Sequence, residues 1–182
     1  MNAEPTDLPG VLVVRSPVHV DPRGSFTEVY HAAKFAAIGL PTAFAQDNHS
    51  RSKQNVLRGL HFQLEQPQAK LVHVVTGRIF DVAVDIRRSS PTYARWVGVT
   101  LDAEDGRQMW IPEGFAHGFL VLSESADVTY KCTTPHHPAS NSCIRWDDQE
   151  IGIRWPIPAG VAPIVSAADA VAPTLGSRVW FK

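Results

Sequence analysis

The sequence has only two cysteines, and all of its apolar runs are too short to cross a bilayer. Cys132 and Cys143 lack the spacing of a metal site, so we expect two reduced thiols in preference to a structural disulfide. The opening segment, Met1–Pro5, is acidic and polar, unlike a secretory signal. The sequence therefore predicts a cytoplasmic protein with no membrane partner.

An excess of one charge is also missing. The formal net charge is −1, which creates no general field for nucleic acid, so we expect no nucleic-acid partner. The chain contains neither a Gly-x-Ser-x-Gly nucleophile elbow nor a glycine-rich phosphate loop. Nucleophilic catalysis is therefore disfavoured, and a bound nucleotide would have to be held by side chains.

The chain does contain many short runs rich in β-branched and aromatic residues, separated by Gly, Pro, Asn and Asp, which predicts one all-β domain over residues 1–182. The predicted strands are Val11–Val14, Ser25–Tyr30, Ala43–His49, Val56–Gln63, Lys70–Val75, Arg78–Asp85, Ala94–Leu101, Gln108–Ile111, Gly118–Leu122 and Val128–Cys132. A helix is expected at His31–Ile38, and short turns are expected at Asp147–Ile151 and at Ser166–Ala170, where Ser166 is the N-cap.

Two connections and one strand carry further detail. Thr76-Gly77-Arg78 and Glu104-Asp105-Gly106 are predicted to be tight hairpin turns. Within Arg78–Asp85 the side chains alternate, which predicts that Asp81 and Asp85 share a face opposite the aliphatic residues.

Two apolar segments, Arg58–Gln63 and Trp110–Phe119, each contain a histidine, His61 and His117. Burial disfavours the imidazolium, and a charged partner shifts the equilibrium back, so such histidines suit proton transfer. The pattern His61-Phe62-Gln63 offers an amide where metal-binding barrels have a second histidine, so we expect no metal.

Acid–base chemistry is the remaining possibility. Each candidate also has an ordinary structural explanation: a core histidine, a packed tyrosine, a lysine at a strand end, or an aspartate in a first helical turn. The combination of these residue types favours an acid–base function. The candidates are His61, His117, Tyr130, Lys70, Asp81 and Asp169.

Seven segments, in order along the chain, resemble the dTDP-4-dehydrorhamnose 3,5-epimerase family. The resemblance runs from about Gly10 to Leu175. The segments are Asp21–Glu28, Gln46–Ser50, Leu57–Gln63, Lys70–Val72, Phe80–Asp85, Trp110–Phe119 and Tyr130–Thr133.

The resemblance implies a cupin jelly roll (a double-stranded β-helix barrel) with a few short peripheral helices, acting as a homodimer without metal or organic cofactor. It implies an isomerase that epimerises a dTDP-4-keto-6-deoxyhexose at C3 and C5 through enolates, as in the dTDP-L-rhamnose pathway. By the same resemblance His61 is the general base, Asp169 orients it, Lys70 faces the developing oxyanion, and Tyr130 is the acid.

The remaining residues that match the family fall into three groups. Asp81 and His117 match further pocket residues, and Phe26 matches an aromatic that reaches the base from the neighbouring subunit. The residues that match those holding the sugar and diphosphate are Arg23, Glu28, Gln46, Asn48 and Arg58.

The chain departs from the family pattern at three positions. His136 replaces a second tyrosine, Asn141 replaces a glutamate, and Ala168 replaces a lysine before Asp169. We expect His136 and Asn141 at the nucleotide end of the pocket. These differences leave open a single-centre epimerase or one that uses another nucleotide. A non-catalytic sugar-nucleotide-binding jelly roll and a metal cupin enzyme are the alternatives from other classes.

Overall fold

The computed structural model of the chain describes residues 1–177 and Phe181. The strands are β1 (Asn2–Pro5), β2 (Leu12–Arg15), β3 (Val18–Asp21), β4 (Gly24–Thr27), β5 (Gln46–Lys53), β6 (Leu57–Gln63), β7 (Lys70–Thr76), β8 (Arg78–Asp85), β9 (Trp96–Asp102), β10 (Arg107–Ile111), β11 (Phe115–Val121), β12 (Ser125–Cys132) and β13 (Asn141–Cys143). The helices are α1 (Ala32–Ala37) and α2 (Ala167–Ala170), with single 3₁₀ turns at Pro138–Ser140 and Leu175–Ser177.

Eleven of these strands form two antiparallel sheets. The first sheet has the order β1-β2-β10-β7-β12-β5, and the second has the order β13-β6-β11-β8-β9. Strands β3 and β4 form a separate two-stranded hairpin. The fold is a cupin jelly roll, which confirms the predicted all-β class with short peripheral helices.

The main core lies between the two sheets and takes residues from both, such as Val72 and Met109 from the first and Ala83 and Phe119 from the second. The outer faces are covered as well. Helix α1 buries Phe35 against the first sheet beside Trp110, and the C-terminal part of the chain covers the second sheet. One apolar cluster therefore joins the two sheets, and two further clusters cover their outer faces.

The alternation predicted for β8 is confirmed. Ile79 and Ala83 pack in the core between the sheets, whereas Val82 and Val84 pack under the C-terminal segment. Both faces of this strand are buried, so Asp81 shares the interior face with apolar neighbours.

Both predicted hairpin turns are wrong in one respect. The turns exist, but β7 and β8 lie in different sheets, as do β9 and β10. Gly77 makes the first corner because its φ is +80° and a Cβ atom there would collide with the carbonyl oxygen of Ser125. Because of these turns, strands that are consecutive in sequence lie in opposite sheets of the barrel.

Strands β1, β3 and β13 were not predicted, and β5 begins at Gln46, later than the expected Ala43. Each of the three missed strands has four residues or fewer, and β1 and β13 contain no β-branched side chain. The predicted helix His31–Ile38 is confirmed at Ala32–Ala37, and the turn capped by Ser166 is confirmed as α2. Asp147–Ile151 is an irregular turn, as expected.

Candidate active site

A β-bulge between β6 and β11 sets the arrangement of the candidate site. His61 pairs with His117 and Arg58 pairs with Phe119, so between these pairs two residues of β6 oppose one residue of β11. Strict alternation would place Arg58 and His61 on opposite faces of the strand, but with the extra residue both line the same cavity.

Glycine is required at this bulge. Gly59 has a φ of +118°, and a Cβ atom on it would lie 2.6 Å from the Cα of Gly118 and 2.7 Å from the carbonyl oxygen of His117. Backbone approach this close is possible only without a side chain. The pair Gly59 and Gly118 therefore brings the two histidine-bearing strands together.

His61 is hydrogen-bonded to Asp169 of α2, with 2.7 Å between His61 Nε2 and Asp169 Oδ1. A carboxylate accepts hydrogen bonds, so Nε2 carries a proton and Nδ1 is left as the basic nitrogen of the neutral ring. The imidazole is partly exposed, whereas the carboxylate is buried. This geometry leaves the ring accessible to a ligand and fixes its orientation.

Asp169 keeps its negative charge in this position. Burial acts to raise the pKa of Asp169, but the hydrogen bond and charge of His61 and contacts with Ser166 and the Gly59 backbone outweigh it and lower the pKa. Ser166 also caps α2, because its hydroxyl accepts the Asp169 backbone N–H at 3.0 Å. The Ser166 cap therefore stabilises the one-turn helix that places Asp169 beside His61, and these two residues form a His–Asp dyad.

A second histidine–aspartate pair lies behind the first. His117 Nε2 and Asp81 Oδ1 are 2.7 Å apart, and both side chains are buried. His117 lines the cavity, whereas Asp81 has no accessible surface, and its Oδ2 has no hydrogen-bond partner among the described residues. Asp81 therefore orients the His117 ring and does not itself reach the cavity.

The first sheet supplies Lys70 and Tyr130 from the opposite side of the barrel. Burial lowers the pKa of Lys70, while the nearby Cys132 and Asp81 act in the opposite direction. Burial raises the pKa of Tyr130, with a contribution from Cys132. Lys70 is therefore a poorly solvated cation, and Tyr130 holds its phenolic proton tightly.

These side chains enclose one cavity with two compartments. The outer compartment has a volume of about 350 Å³ and is lined by Gln46, Asn48, His61, Gln68, Lys70, Tyr130, His136 and Asn141. The inner compartment has a volume of about 140 Å³ and is lined by Ser50, Arg58, His61, Lys70, His117, Gly118, Phe119 and Tyr130. His61, Lys70 and Tyr130 lie at the junction because both compartments share them.

Most of the predicted site residues meet here. His61, Lys70, Tyr130, Gln46, Asn48, Arg58, His117, His136 and Asn141 line the cavity, and Asp169 and Asp81 support it from behind. Arg58 is exposed, and its Nε donates to the Ser52 hydroxyl at 3.0 Å.

Three predicted binding residues lie elsewhere within the chain. Arg23 and Phe26 belong to the β3–β4 hairpin and line a separate concave surface of about 480 Å³, and Phe26 is 70% exposed. Glu28 follows β4 and pairs with Lys34, with 2.7 Å between Glu28 Oε1 and Lys34 Nζ. A single chain does not bring these residues to His61.

Two polar lining residues, Gln68 and Ser50, were missed. Ser50 continues the alternation of Gln46 and Asn48 along β5, and its Oγ has no partner among the described residues. That alternation was a usable signal. Gln68 lies in the loop before β7, where no periodicity indicates its direction.

Gln63, which stands where a metal-binding barrel has a histidine, has a structural role. Its amide donates to the carbonyl oxygens of Gln66 and Pro135 and accepts the His137 backbone N–H. In the described part of the chain, no three His, Cys, Asp or Glu side chains are grouped as metal ligands would be.

Neither helix of the described residues has the length or hydropathy that a bilayer span requires, since α1 has six residues and α2 has four.

Comparison with known proteins gives one consistent result. Residues 5–177 match the family model described as dTDP-4-dehydrorhamnose 3,5-epimerase. The enzyme of that name from Salmonella typhimurium is 54% identical over 172 residues, which are 93% of this chain and 93% of the relative. The one from Methanothermobacter thermautotrophicus is 51% identical over 164 residues, which are 90% of this chain and 89% of the relative.

A solved structure is similar over the same length. The crystal structure of dTDP-6-deoxy-D-glucose-3,5-epimerase from Legionella pneumophila, in complex with dTDP-4-keto-L-rhamnose, superposes with a TM-score of 0.91 at 46% identity. The match covers 97% of this chain and 93% of the other.

Proposed function

Because the chain belongs to the dTDP-4-dehydrorhamnose 3,5-epimerase family, we propose that it inverts C3 and C5 of a dTDP-4-keto-6-deoxyhexose and thereby serves dTDP-L-rhamnose synthesis. The observation that carries this proposal is the junction of the two compartments, where His61 and Tyr130 approach from opposing sheets beside Lys70. Inversion needs a proton removed from one face of a carbon and returned to the other.

The C4 ketone makes the hydrogens on C3 and C5 acidic, since loss of either leaves an enolate. His61 Nδ1 takes the proton, because Nε2 is occupied by Asp169. The imidazolium that forms is stabilised by the Asp169 carboxylate, whose pKa is lowered. The dyad therefore supplies a base of fixed direction.

The enolate oxygen gains negative charge as the proton leaves. Lys70, buried at the cavity floor, supplies a positive charge at low local dielectric, where it interacts more strongly with an oxyanion than in water. Tyr130 then returns a proton from the other sheet. Its raised pKa means that the phenol is protonated at neutral pH.

The test is incubation with the dTDP-4-keto-6-deoxyhexose in deuterium oxide. We expect deuterium at both C3 and C5 of the product, and loss of exchange in His61→Asn. His49→Asn is a matched control, because His49 also pairs with an aspartate, Asp127, at 2.9 Å but on the outer face of the first sheet. Deuterium at one carbon only would show that the protein is a single-centre epimerase and does not invert both carbons. Unchanged exchange in His61→Asn would refute the assignment of the base.

We further propose a homodimer in which the β3–β4 hairpin reaches the cavity of the other subunit. Support comes from the exposed Phe26 and Val20 on a projecting hairpin, since exposed apolar residues of this size mark interaction surfaces. In such a dimer Arg23 and Glu28 join Gln46, Asn48 and Arg58 in holding the sugar and diphosphate, and Phe26 lies beside the base. The dimer makes the distant hairpin residues part of the site.

Subunit mixing tests the dimer. Neither His61→Asn nor Arg23→Ala alone should turn over substrate efficiently. Refolded together, they should regain roughly a quarter of wild-type activity, because half of the dimers are mixed and each mixed dimer has one intact site. Absence of recovery, or a monomer in sedimentation, would exclude a site shared between subunits.

We propose that the chain acts as one catalytic domain in the cytoplasm and needs no metal or organic cofactor. A sequence with two cysteines is in keeping with a reducing compartment. The acid, base and cation of the mechanism are all side chains of the chain itself.

A further inference from the structure

A hydrogen-bonded chain of fixed direction runs along the wall of the outer compartment. The His136 backbone N–H donates to Gln46 Oε1 at 2.7 Å, and Gln46 Nε2 donates to Asn48 Oδ1 at 2.8 Å. Asn48 Nδ2 then donates to Cys132 Sγ at 3.6 Å. A backbone N–H can only donate, so the orientation of both amides follows from the first bond. His136 is thereby tied to the floor beside Lys70, the pairing partner of Cys132.

A second set of contacts fixes the tautomer of the His136 ring. The buried amide of Gln63 has one orientation, because its Nε2 donates to two carbonyl oxygens, and its Oε1 accepts the His137 N–H at 2.8 Å. His136 Nδ1 lies 3.2 Å from the same Oε1. Nδ1 must therefore carry a proton, and in the neutral ring Nε2 is an acceptor.

The acceptor lies where a linked nucleotide has to pass. His136 is exposed and lines the outer compartment, and Nε2 is on the side of the ring away from Gln63. With the hexose at the junction beside His61, the nucleotide has to extend into the outer compartment, because the inner one is less than half as large. This step rests on the proposed function.

We propose that His136 Nε2 is a specificity determinant that accepts a hydrogen bond from the nucleoside part of the substrate. Two donors of thymidine have the required chemistry, the imide N3–H of the base and the 3′-hydroxyl of the deoxyribose. An acceptor that the bound nucleoside shields from water discriminates against a ligand that lacks the donor, because its hydrogen bond is then unmade.

The experiment is calorimetric titration of the full chain with dTDP, N3-methyl-dTDP and 3′-deoxy-dTDP. We expect one analogue to bind at least about tenfold more weakly than dTDP. Weaker binding of N3-methyl-dTDP would identify the base as the donor, and weaker binding of 3′-deoxy-dTDP would identify the sugar. His136→Asn can still donate to Gln63 but ends short of the Nε2 position. In this variant we expect the penalty, which is the loss of affinity for that analogue relative to dTDP, to fall to about twofold. His136→Gln, which reaches that position, should retain the penalty.

His137→Asn is the matched control. His137 is the neighbouring imidazole, bonded through Nδ1 to the Ser140 hydroxyl and absent from the lining of both compartments, so the wild-type penalty should persist. Equal loss in both asparagine variants would overturn the proposal, because loop shape would then be responsible. Tight binding of both analogues by a wild-type protein that binds dTDP would overturn this proposal alone. Failure of the wild-type protein to bind dTDP would overturn the proposed function with it.

Discussion

At the scale of single residues, acid and base are distinguished by their surroundings. His61 is partly exposed and tied to a charged carboxylate, whereas Tyr130 lies in the wall of the first sheet, where burial raises its pKa. The Tyr130 phenol is thus a weaker acid than an exposed tyrosine, and it keeps its proton at neutral pH. One side chain is prepared to accept a proton and the other to supply one.

Tyr130→Phe removes the donor and leaves the base in place. We expect proton abstraction to continue while formation of the inverted product falls about 10²–10⁴-fold, the usual contribution of a positioned acid. Deuterium in recovered substrate, compared with deuterium in product, measures the two steps separately. Equal loss of both would show that Tyr130 is needed before the enolate forms.

We expect Lys70 to determine the alkaline limit of the reaction. Burial lowers its pKa from the ordinary value of 10.5, so the ammonium that stabilises the enolate is lost as pH rises through this lowered pKa. Tyr130, whose pKa is raised, is still protonated there. In Lys70→Arg the charge persists to higher pH, and the alkaline limb of kcat should move upward.

The matched control for Lys70→Arg is Lys131→Arg. Lys131 pairs with Asp47 at 3.0 Å on the outer face of the first sheet, so its replacement should leave the pH profile unchanged. A limb that stays in place in Lys70→Arg would assign the alkaline transition to another group.

At the scale of elements, the one-turn helix α2 is the weakest support of the site. It has four residues, is capped by the exposed Ser166, and carries Asp169. A helix this short is held by its cap and contacts, because an isolated turn is unstable in water. Its sequence, Ser166-Ala167-Ala168-Asp169, supplies the cap and the carboxylate within four residues.

Ser166→Ala should cost about 1 kcal/mol of stability and raise the pKa of Asp169, because the cap and one hydrogen bond to the carboxylate are lost. The Asp169 contribution to stability is present above its unfolded pKa and is lost as pH falls through its folded pKa. In the variant this loss should begin at higher pH, which urea unfolding at a series of pH values measures. Ser177→Ala, which removes an exposed hydrogen bond to Thr174, is the control.

At the scale of the whole molecule, the C-terminal part of the chain completes the site. It passes over the second sheet, contributes Leu175 to the cluster there, and delivers Asp169 to His61, which lies 108 residues earlier. Asp148 secures this segment, because its carboxylate accepts the backbone N–H groups of Glu150, Ile151 and Leu175. Packing of the tail and catalytic geometry are therefore coupled.

Asp148→Ala should destabilise the fold by about 2–3 kcal/mol, since two buried N–H groups and one partly buried N–H group lose their acceptor. It should also speed amide exchange around α2. Urea unfolding and hydrogen exchange measure the two effects. The adjacent Asp147 pairs with Arg145 at the surface, so Asp147→Ala should change stability by about 0–1 kcal/mol. Similar losses in both variants would argue against a role for Asp148 in holding the tail.

The strands that alternate clearly could be predicted from the sequence. Arg78–Asp85 was predicted with its final bounds, because alternation shows where a strand runs and which face is apolar. The polar strand Asn141–Cys143 could not be predicted, since its pairing with β6 depends on where the loop after Pro138 returns. Resemblance to a family, rather than periodicity, identified Asp169 as the partner of His61.

The sequence by itself determined the all-β class, the apolar faces of the long strands and the residue types capable of acid–base work, because these depend on local propensity and periodicity. Only the tertiary structure decided that the Gly77 turn joins two sheets, and that a bulge at Gly59 turns Arg58 and His61 into one cavity. It also decided that Arg23 and Phe26 lie away from His61 within one chain. Such outcomes depend on contacts between distant segments, which no local pattern contains.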